Sequence, residues 1–230
     1  MGSGIGIGLL GLGTVGGGVA SILQSPSERH PLVADLKLVR VAVRDLNRPR
    51  SVELPNEILT TDPAVVVNDP AVDVVVEVIG GIEPARSLIL QAIASGKSVV
   101  TANKAVIARH GEEIAAAAAK AGVYVLIEAA VGGGIPIIEP LKQSLGGNRI
   151  NRVSGIINGT TNYILTRMAD EGAAYESVLK DAQELGYAEA DPAADVDGLD
   201  AADKIAILAN LAFGGSVERS AVPTAGISQL

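Results

Sequence analysis

The chain has 230 residues, room for one large domain or two small ones. Hydrophobic residues make up 48% and charged residues 19%, which supports a sizeable core and excludes wholesale disorder. Eighteen Lys and Arg against 26 Asp and Glu leave a net charge of -8, so no global basic field is available to grip nucleic acid, and zero cysteines exclude disulfides, Cys–zinc sites, Fe–S clusters and thiol nucleophiles. Aromatics at 2% argue against base-stacking platforms. Only His30 and His110 are available for histidine chemistry, and they lie far apart in sequence; His110 reads as a surface residue. No stretch reaches the roughly 20 apolar residues of a membrane span, and the Gly-rich start lacks the basic segment of a signal peptide. A cytoplasmic, soluble protein is expected.

In chain order, Ile5 to Leu10 is a β-rich run and Gly16 to Gln24 can open a helix. Leu38 to Val43 is a second strand and Ile58 to Thr60 a weaker third. Val72 to Ile79 has the composition of a buried strand, followed by a helix from Pro84 to Ser95 that Gly96 stops. Val99 to Thr101 is a short strand, Gly111 to Ala121 an Ala-rich helix, and Val123 to Ile127 a further strand. Strands alternating with helices predict a parallel sheet covered on both faces. The pattern changes near Gly132-Gly133-Gly134-Ile135-Pro136, where a domain boundary is placed: residues 1–131, then 132–230. Beyond it come a helix candidate at Ile137 to Leu145, an apolar stretch from Arg152 to Ile157, and helices at Thr161 to Glu171, Tyr175 to Leu185 and Leu199 to Phe213. The fold class expected is α/β: a Rossmann-like dinucleotide-binding domain followed by an α+β unit.

Gly11-Leu12-Gly13-Thr14-Val15-Gly16 matches G-x-G-x-x-G directly after a strand and at the start of a helix. Gly11 permits the tight turn, Gly13 lets backbone approach a pyrophosphate, and Gly16 lets helix and strand pack closely. The helix N-terminus offers unpaired N–H groups to the phosphates, with Thr14 and Val15 in its first turn. The second strand bears on which dinucleotide binds. A carboxylate there suits a ribose 2′-hydroxyl, an arginine a 2′-phosphate. Here the strand ends at Arg44, with Arg48 and Arg50 nearby, while Asp45 would point the other way if the strand continued. NADP is therefore favoured, with NAD also accepted; a solvated charged loop is the alternative.

Without cysteine or a histidine pair, acid–base chemistry falls to Lys, Asp, Glu or Tyr. Lys104, in TANKAVIA, follows a strand at the end where open α/β sheets place ligands. Asp200 and Lys204 are i and i+4 on one helix, and by spacing alone they read as a solvated surface pair. Glu189, Asp191, Asp195 and Asp197 form an acidic, turn-rich segment before that helix. In Asn158-Gly159-Thr160-Thr161, which could face substrate, N-capping of the following helix explains the Thr residues equally well.

The runs VVEVIGG, TANKA, EAAVGGGIPII, INGTTNYIL and LGYAEADPAADVDGLDAADK, in this order, resemble the homoserine dehydrogenase family from the glycine loop to the last residues. The resemblance implies NAD(P)-dependent interconversion of L-homoserine and L-aspartate 4-semialdehyde, in the biosynthesis of threonine, methionine and isoleucine. By position, Lys204 matches the family's proton donor and Lys104 a second lysine beside substrate and nicotinamide. Asp200 and Glu189 match substrate-binding carboxylates, and Gly186 a cofactor contact. Glu128, Val131, Gly133 and Ile135 match a monovalent cation site, most simply for Na⁺; an ordinary hinge is the other reading of that glycine turn. A homodimer is implied, with residues 132–230 serving catalysis and dimerisation. Relative to the family the chain is short at its C-terminus, which puts cofactor affinity in question and leaves no C-terminal regulatory module expected. Two rival readings are a dinucleotide-binding fragment without turnover and a related amino-acid dehydrogenase.

Overall fold

Six short apolar runs of the N-terminal half form one parallel sheet: β1 (Ile5–Leu10), β2 (Leu36–Ala42), β3 (Leu59–Thr60), β4 (Val74–Glu77), β5 (Ser98–Thr101) and β6 (Val125–Leu126). The computed structural model describes residues 4–230, divided into two units, Met1–Ala130 and Val131–Leu230. In the first unit the strand order is β3-β2-β1-β4-β5-β6. The chain runs outward from β1 to β2 and β3, then returns to the other side of β1 for β4 to β6. The reversal leaves a crevice at the carboxyl ends of β1 and β4, where sheets of this kind receive ligands.

Leu9, Val41, Val75 and Val99 are fully buried, as expected of strands covered on both faces. Helices α1 (Thr14–Gln24), α2 (Pro63–Asn68), α3 (Ala85–Ala94) and α4 (Lys104–Ala121) flank the sheet. Two of them depart from the sequence reading. Helix α2 was not anticipated, although its signals are present: the Asp62 carboxylate accepts from Ala64 N at 2.8 Å, Pro63 takes the first position, and Val66 and Val67 are buried. Helix α4 begins at Lys104 rather than Gly111, because the Asn103 side chain caps it and Val106, Ile107 and Ala108 bury its first two turns. Gly111 therefore lies inside the helix, and Gly122, in the left-handed conformation at φ 69°, ends it.

The second unit is built from α5 (Gly159–Glu171), α6 (Tyr175–Glu184), the one-turn α7 (Ala193–Val196) and α8 (Leu199–Phe213). Ile164, Val178, Ala182, Ala188 and Val196 form its core, and the rings of Tyr163 and Tyr187 pack 5.0 Å apart. The helix expected over Ile137 to Leu145 reduces to one π-turn, Pro140–Ser144. Pro136 and Pro140 remove two backbone donors from that stretch, and Gly146 and Gly147 follow it. The apolar stretch from Arg152 to Ile157 joins no ladder among the described residues, and the side chain of Ile156 is exposed. The C-terminal segment is held by the buried Arg219–Asp203 pair at 2.6 Å and by Ile227 N donating to Val196 O at 2.9 Å.

Candidate functional site

The glycine loop leaves β1 at Leu10 and enters α1 at Thr14. Gly11 has φ +102°, where an L side chain is strained, and a Cβ there would stand 2.9 Å from Val78 O. A Cβ on Gly16 would collide with Gly11 O, so helix and turn approach as closely as backbone permits. At Gly13 nothing lies within 4 Å of where a Cβ would be. Gly13 is also the residue before the first turn of α1, which has no side-chain cap and no acidic residue. Thr14 and Val15 are exposed in that turn. Open space, uncapped N–H groups and absent negative charge together fit a bound pyrophosphate.

Arg44 lies two residues past the end of β2 and is exposed. Among the described residues its guanidinium has no hydrogen bond or ion pair. Asp45, by contrast, is committed to its own turn: Oδ1 accepts from Asn47 N at 2.8 Å, and Arg50 braces the same loop through the carbonyls of Asp45, Leu46 and Arg48. The side chain available to a ribose substituent is thus the cation. Across the sheet, Lys104 is the first residue of α4, half-buried and fixed by the Asn103 cap just past the end of β5.

In the second unit the polar side chains converge on the start of α8. Lys204 Nζ donates to Asp200 Oδ2 at 2.5 Å and to the Ile157 carbonyl at 2.6 Å. The pair is not the solvated surface pair that spacing suggests: the side chains are 17% and 7% exposed. The helix turns this face inward, because Ala202, Asp203, Ala206 and Ile207 are buried beside it. Asn158 completes the cluster. Its amide nitrogen donates to Asp200 Oδ2 at 2.9 Å and to Asp195 Oδ1 at 2.7 Å, while its Oδ1 caps α5 through Thr161 N at 2.8 Å. An ammonium has three donors. Two of those on Lys204 are held by protein oxygens, which leaves one for a substrate oxygen.

The sequence leaves the Asn158–Thr161 run open between substrate contact and capping by its threonines, and leaves Asp195 within an acidic run. The cap is Asn158 rather than a threonine, and the other half of the same side chain bridges two carboxylates distant in sequence, which no local signal marks. Glu189 is exposed, and its carbonyl accepts from Gln183 Nε2 at 3.1 Å. Gly186 forms the turn after α6 at φ +77°. Of the suggested cation ligands, Glu128 opens a short 3-10 turn in the first unit. Val131, Gly133 and Ile135 belong to the second unit, where consecutive left-handed glycines, Gly132 at +85° and Gly133 at +60°, redirect the chain. Among the described residues no group of three His, Cys, Asp or Glu is placed to hold a metal.

A doubly wound sheet with this glycine loop at its switch point defines an α/β dinucleotide-binding protein, here joined to a helical unit carrying a lysine–carboxylate cluster. Family models agree on both halves: one described as "Homoserine dehydrogenase, NAD binding domain" matches residues 11–128, and one described as "Homoserine dehydrogenase" matches residues 136–230. The chain belongs to the homoserine dehydrogenase family. It is 66% identical over 96% of its length to a homoserine dehydrogenase of Synechocystis sp., of which it covers 51%. Its structure is similar to that of a homoserine dehydrogenase from Thiobacillus denitrificans, with a TM-score of 0.88 at 51% identity, covering 98% of this chain and 53% of that one. A hyperthermophilic archaeal homoserine dehydrogenase in complex with NADPH gives a TM-score of 0.84 at 28% identity, covering 98% and 74%. The chain spans about half the length of the curated relatives it matches. No helix among the described residues is long and apolar enough to cross a membrane.

Proposed function

We propose that this chain carries the NADP-dependent interconversion of L-homoserine and L-aspartate 4-semialdehyde, residues 1–131 holding the dinucleotide and 132–230 the amino-acid substrate. The observation that carries the reading is the Lys204 ammonium, held on two sides by Asp200 and the Ile157 carbonyl with a third N–H left over. Interconverting an alcohol and an aldehyde requires a proton to be given to, or taken from, the reacting oxygen. The nicotinamide, when bound, supplies or accepts the hydride. Lys204 moves the proton at that oxygen, and Asp200 and Ile157 O fix the direction from which it comes. Lys104, rigid at the head of α4, adds positive charge on the cofactor side. Glu189 and Asp200 are the carboxylates for the substrate ammonium. Gly11, Gly13, Thr14, Val15 and Gly16 cradle the pyrophosphate, Arg44 takes the 2′-phosphate, and Gly186 adds a backbone contact.

NADP is preferred over NAD because Arg44 is uncommitted while the Asp45 carboxylate is locked in its own turn. The NADPH complex of the archaeal relative is consistent with this. Glu128, with the carbonyls of Val131, Gly133 and Ile135, would hold a Na⁺ ion that stiffens the glycine turn. A homodimer and a cytoplasmic location complete the proposal. The exposed Ile135 and Ile156 support the second unit as the associating surface, and light scattering on the purified chain tests it.

The test of the activity is homoserine-dependent reduction of NADP⁺, run beside a panel of other amino-acid alcohols and amino acids. Reduction confined to homoserine supports the proposal. A different preferred substrate selects a related amino-acid dehydrogenase, and NADPH binding without any turnover selects a dinucleotide-binding fragment.

A further inference from the structure

One charged side chain in the first unit sits where apolar residues are expected. Glu77 ends β4 in the run VVVE, is fully buried, and lies at the switch point, in register with Leu10 of β1 on one side and Thr101 of β5 on the other. Among the described residues its carboxylate accepts from neutral donors. Oε2 accepts from Thr101 Oγ1 at 2.6 Å, and Oε1 accepts from Ile79 N at 2.9 Å, from Gly80 N at 3.4 Å and from Asn103 Nδ2 at 3.5 Å. A buried charge carries a large desolvation cost, and nothing in the packing of the sheet requires one here. An apolar residue would extend the VVV run.

The carboxylate instead joins the two walls of the crevice. On one side it holds the turn Ile79–Gly80, whose preceding carbonyl, Val78 O, is the atom that excludes a side chain from Gly11. On the other side it holds Thr101 and Asn103. Asn103 N donates to Thr101 Oγ1 at 2.9 Å, its Nδ2 donates to Gly81 O at 2.7 Å, and its Oδ1 caps α4 at Val106 N. Lys104 is the next residue. One carboxylate thus ties the turn packed on the glycine loop to the residue that starts the helix bearing Lys104.

We infer that Glu77 is a positioning residue of the dinucleotide site: its buried carboxylate sets the glycine-loop wall and the Asn103–Lys104 wall in fixed relation across the β1–β4 crevice. The inference rests on the dinucleotide-binding reading above. The informative variants are Glu77→Gln and Thr101→Val. In Glu77→Gln one oxygen still accepts from the turn, but the NH₂ that replaces the other can meet Thr101 Oγ1 only as a donor, so a neutral, reversed contact replaces the bond to a carboxylate. Thr101→Val removes the hydroxyl itself in a nearly isosteric way, and serves if the first variant does not fold.

The measurement is NADPH fluorescence titration of the 230-residue chain at a temperature well below each variant's melting point, with the melting curve recorded separately. A positioning role weakens NADPH binding on the order of 10- to 100-fold in each folded variant, as sub-ångström to ångström misplacement does at preorganised sites. The double variant then loses less affinity than the two singles added together, because both act on the same link. A lowered melting point with unchanged NADPH affinity in either folded variant overturns the inference, because a stability role moves only the first. Wild-type chain that does not bind NADPH is a different result: it overturns the dinucleotide reading, and this inference with it.

Discussion

The amide nitrogen of Asn158 lies 2.9 Å from Asp200 Oδ2, the same carboxylate oxygen that Lys204 Nζ approaches to 2.5 Å. One oxygen therefore receives a neutral donor and a cation, and Asn158 also reaches Asp195. Without that amide, Asp195 and Asp200 lose the donor they share, and the Lys204 ammonium remains on Asp200. Asn158→Asp separates the two jobs of this side chain. It keeps the acceptor that caps α5 but places a third carboxylate between Asp195 and Asp200. We expect Asn158→Asp to lose activity while α5 stays capped, and Asn158→Ala to lose in addition a cap of about 1 kcal/mol. Thermal melts beside turnover distinguish them; equal activity in Asn158→Asp and wild type would show that the bridge is incidental.

Arg44→Asp should turn the cofactor preference. A charge-assisted hydrogen bond to a 2′-phosphate contributes about 1.5–3 kcal/mol, so NADPH affinity should fall roughly 10- to 100-fold while NADH affinity holds or improves. Paired titrations with NADPH and NADH check this. An unchanged ratio would assign the 2′-phosphate contact to another residue, with Arg48 the nearest alternative in the same loop.

Acid sensitivity should be traceable to Asp69. Its carboxyl is held below the ordinary value of 3.8 by the backbone N–H of Ala71 and by the Arg40 guanidinium, whose Nε lies 2.7 Å away. A depressed native value means that the stabilisation is fully present above the unfolded pKa and is lost as pH falls through the native one. The stability difference between wild type and Asp69→Asn should therefore be constant above about pH 5 and shrink as pH drops below 3.8. Urea unfolding at a series of pH values measures it. A difference that does not change with pH would mean the aspartate acts through hydrogen bonding alone.

If the proposed cation reading holds, replacing Glu128 by Ala removes any dependence of the activity on monovalent cations, since Glu128 is the one carboxylate proposed for it. Activity is to be compared in Na⁺, K⁺ and a bulky organic cation at constant ionic strength. Wild-type activity that is indifferent to the cation would contradict the site.

The first unit was largely legible in the sequence because its signals are local. The apolar runs at 5–10, 38–43 and 72–79, the glycine spacing at 11–16 and the stop at Gly96 each act within a few residues of themselves. Where reading failed, a local cue was weighed wrongly. Gly111 opens the Ala-rich run, but Asn103 caps α4 eight residues earlier, and the Asp62-Pro63 signature of α2 introduces a helix of only six residues. In the second unit the decisive facts are non-local. Helical spacing places Asp200 beside Lys204 but does not say whether that face is wet. It is dry because Asn158 and the Ile157 carbonyl, more than 40 residues away in the chain, close over it. The role of Glu77 was hidden for the same reason, since its partners Thr101 and Asn103 meet it only through sheet register.

The central claim is that Lys204 moves the proton and takes no part in holding the dinucleotide. Homoserine-dependent reduction of NADP⁺ by the wild-type chain and by Lys204→Ala, with NADPH affinity measured on both, tests it most directly. The account requires turnover to fall by about 10²- to 10⁴-fold, the usual contribution of a positioned acid–base group, with NADPH affinity unchanged. Turnover that survives the substitution, or NADPH binding that disappears along with it, would contradict the account.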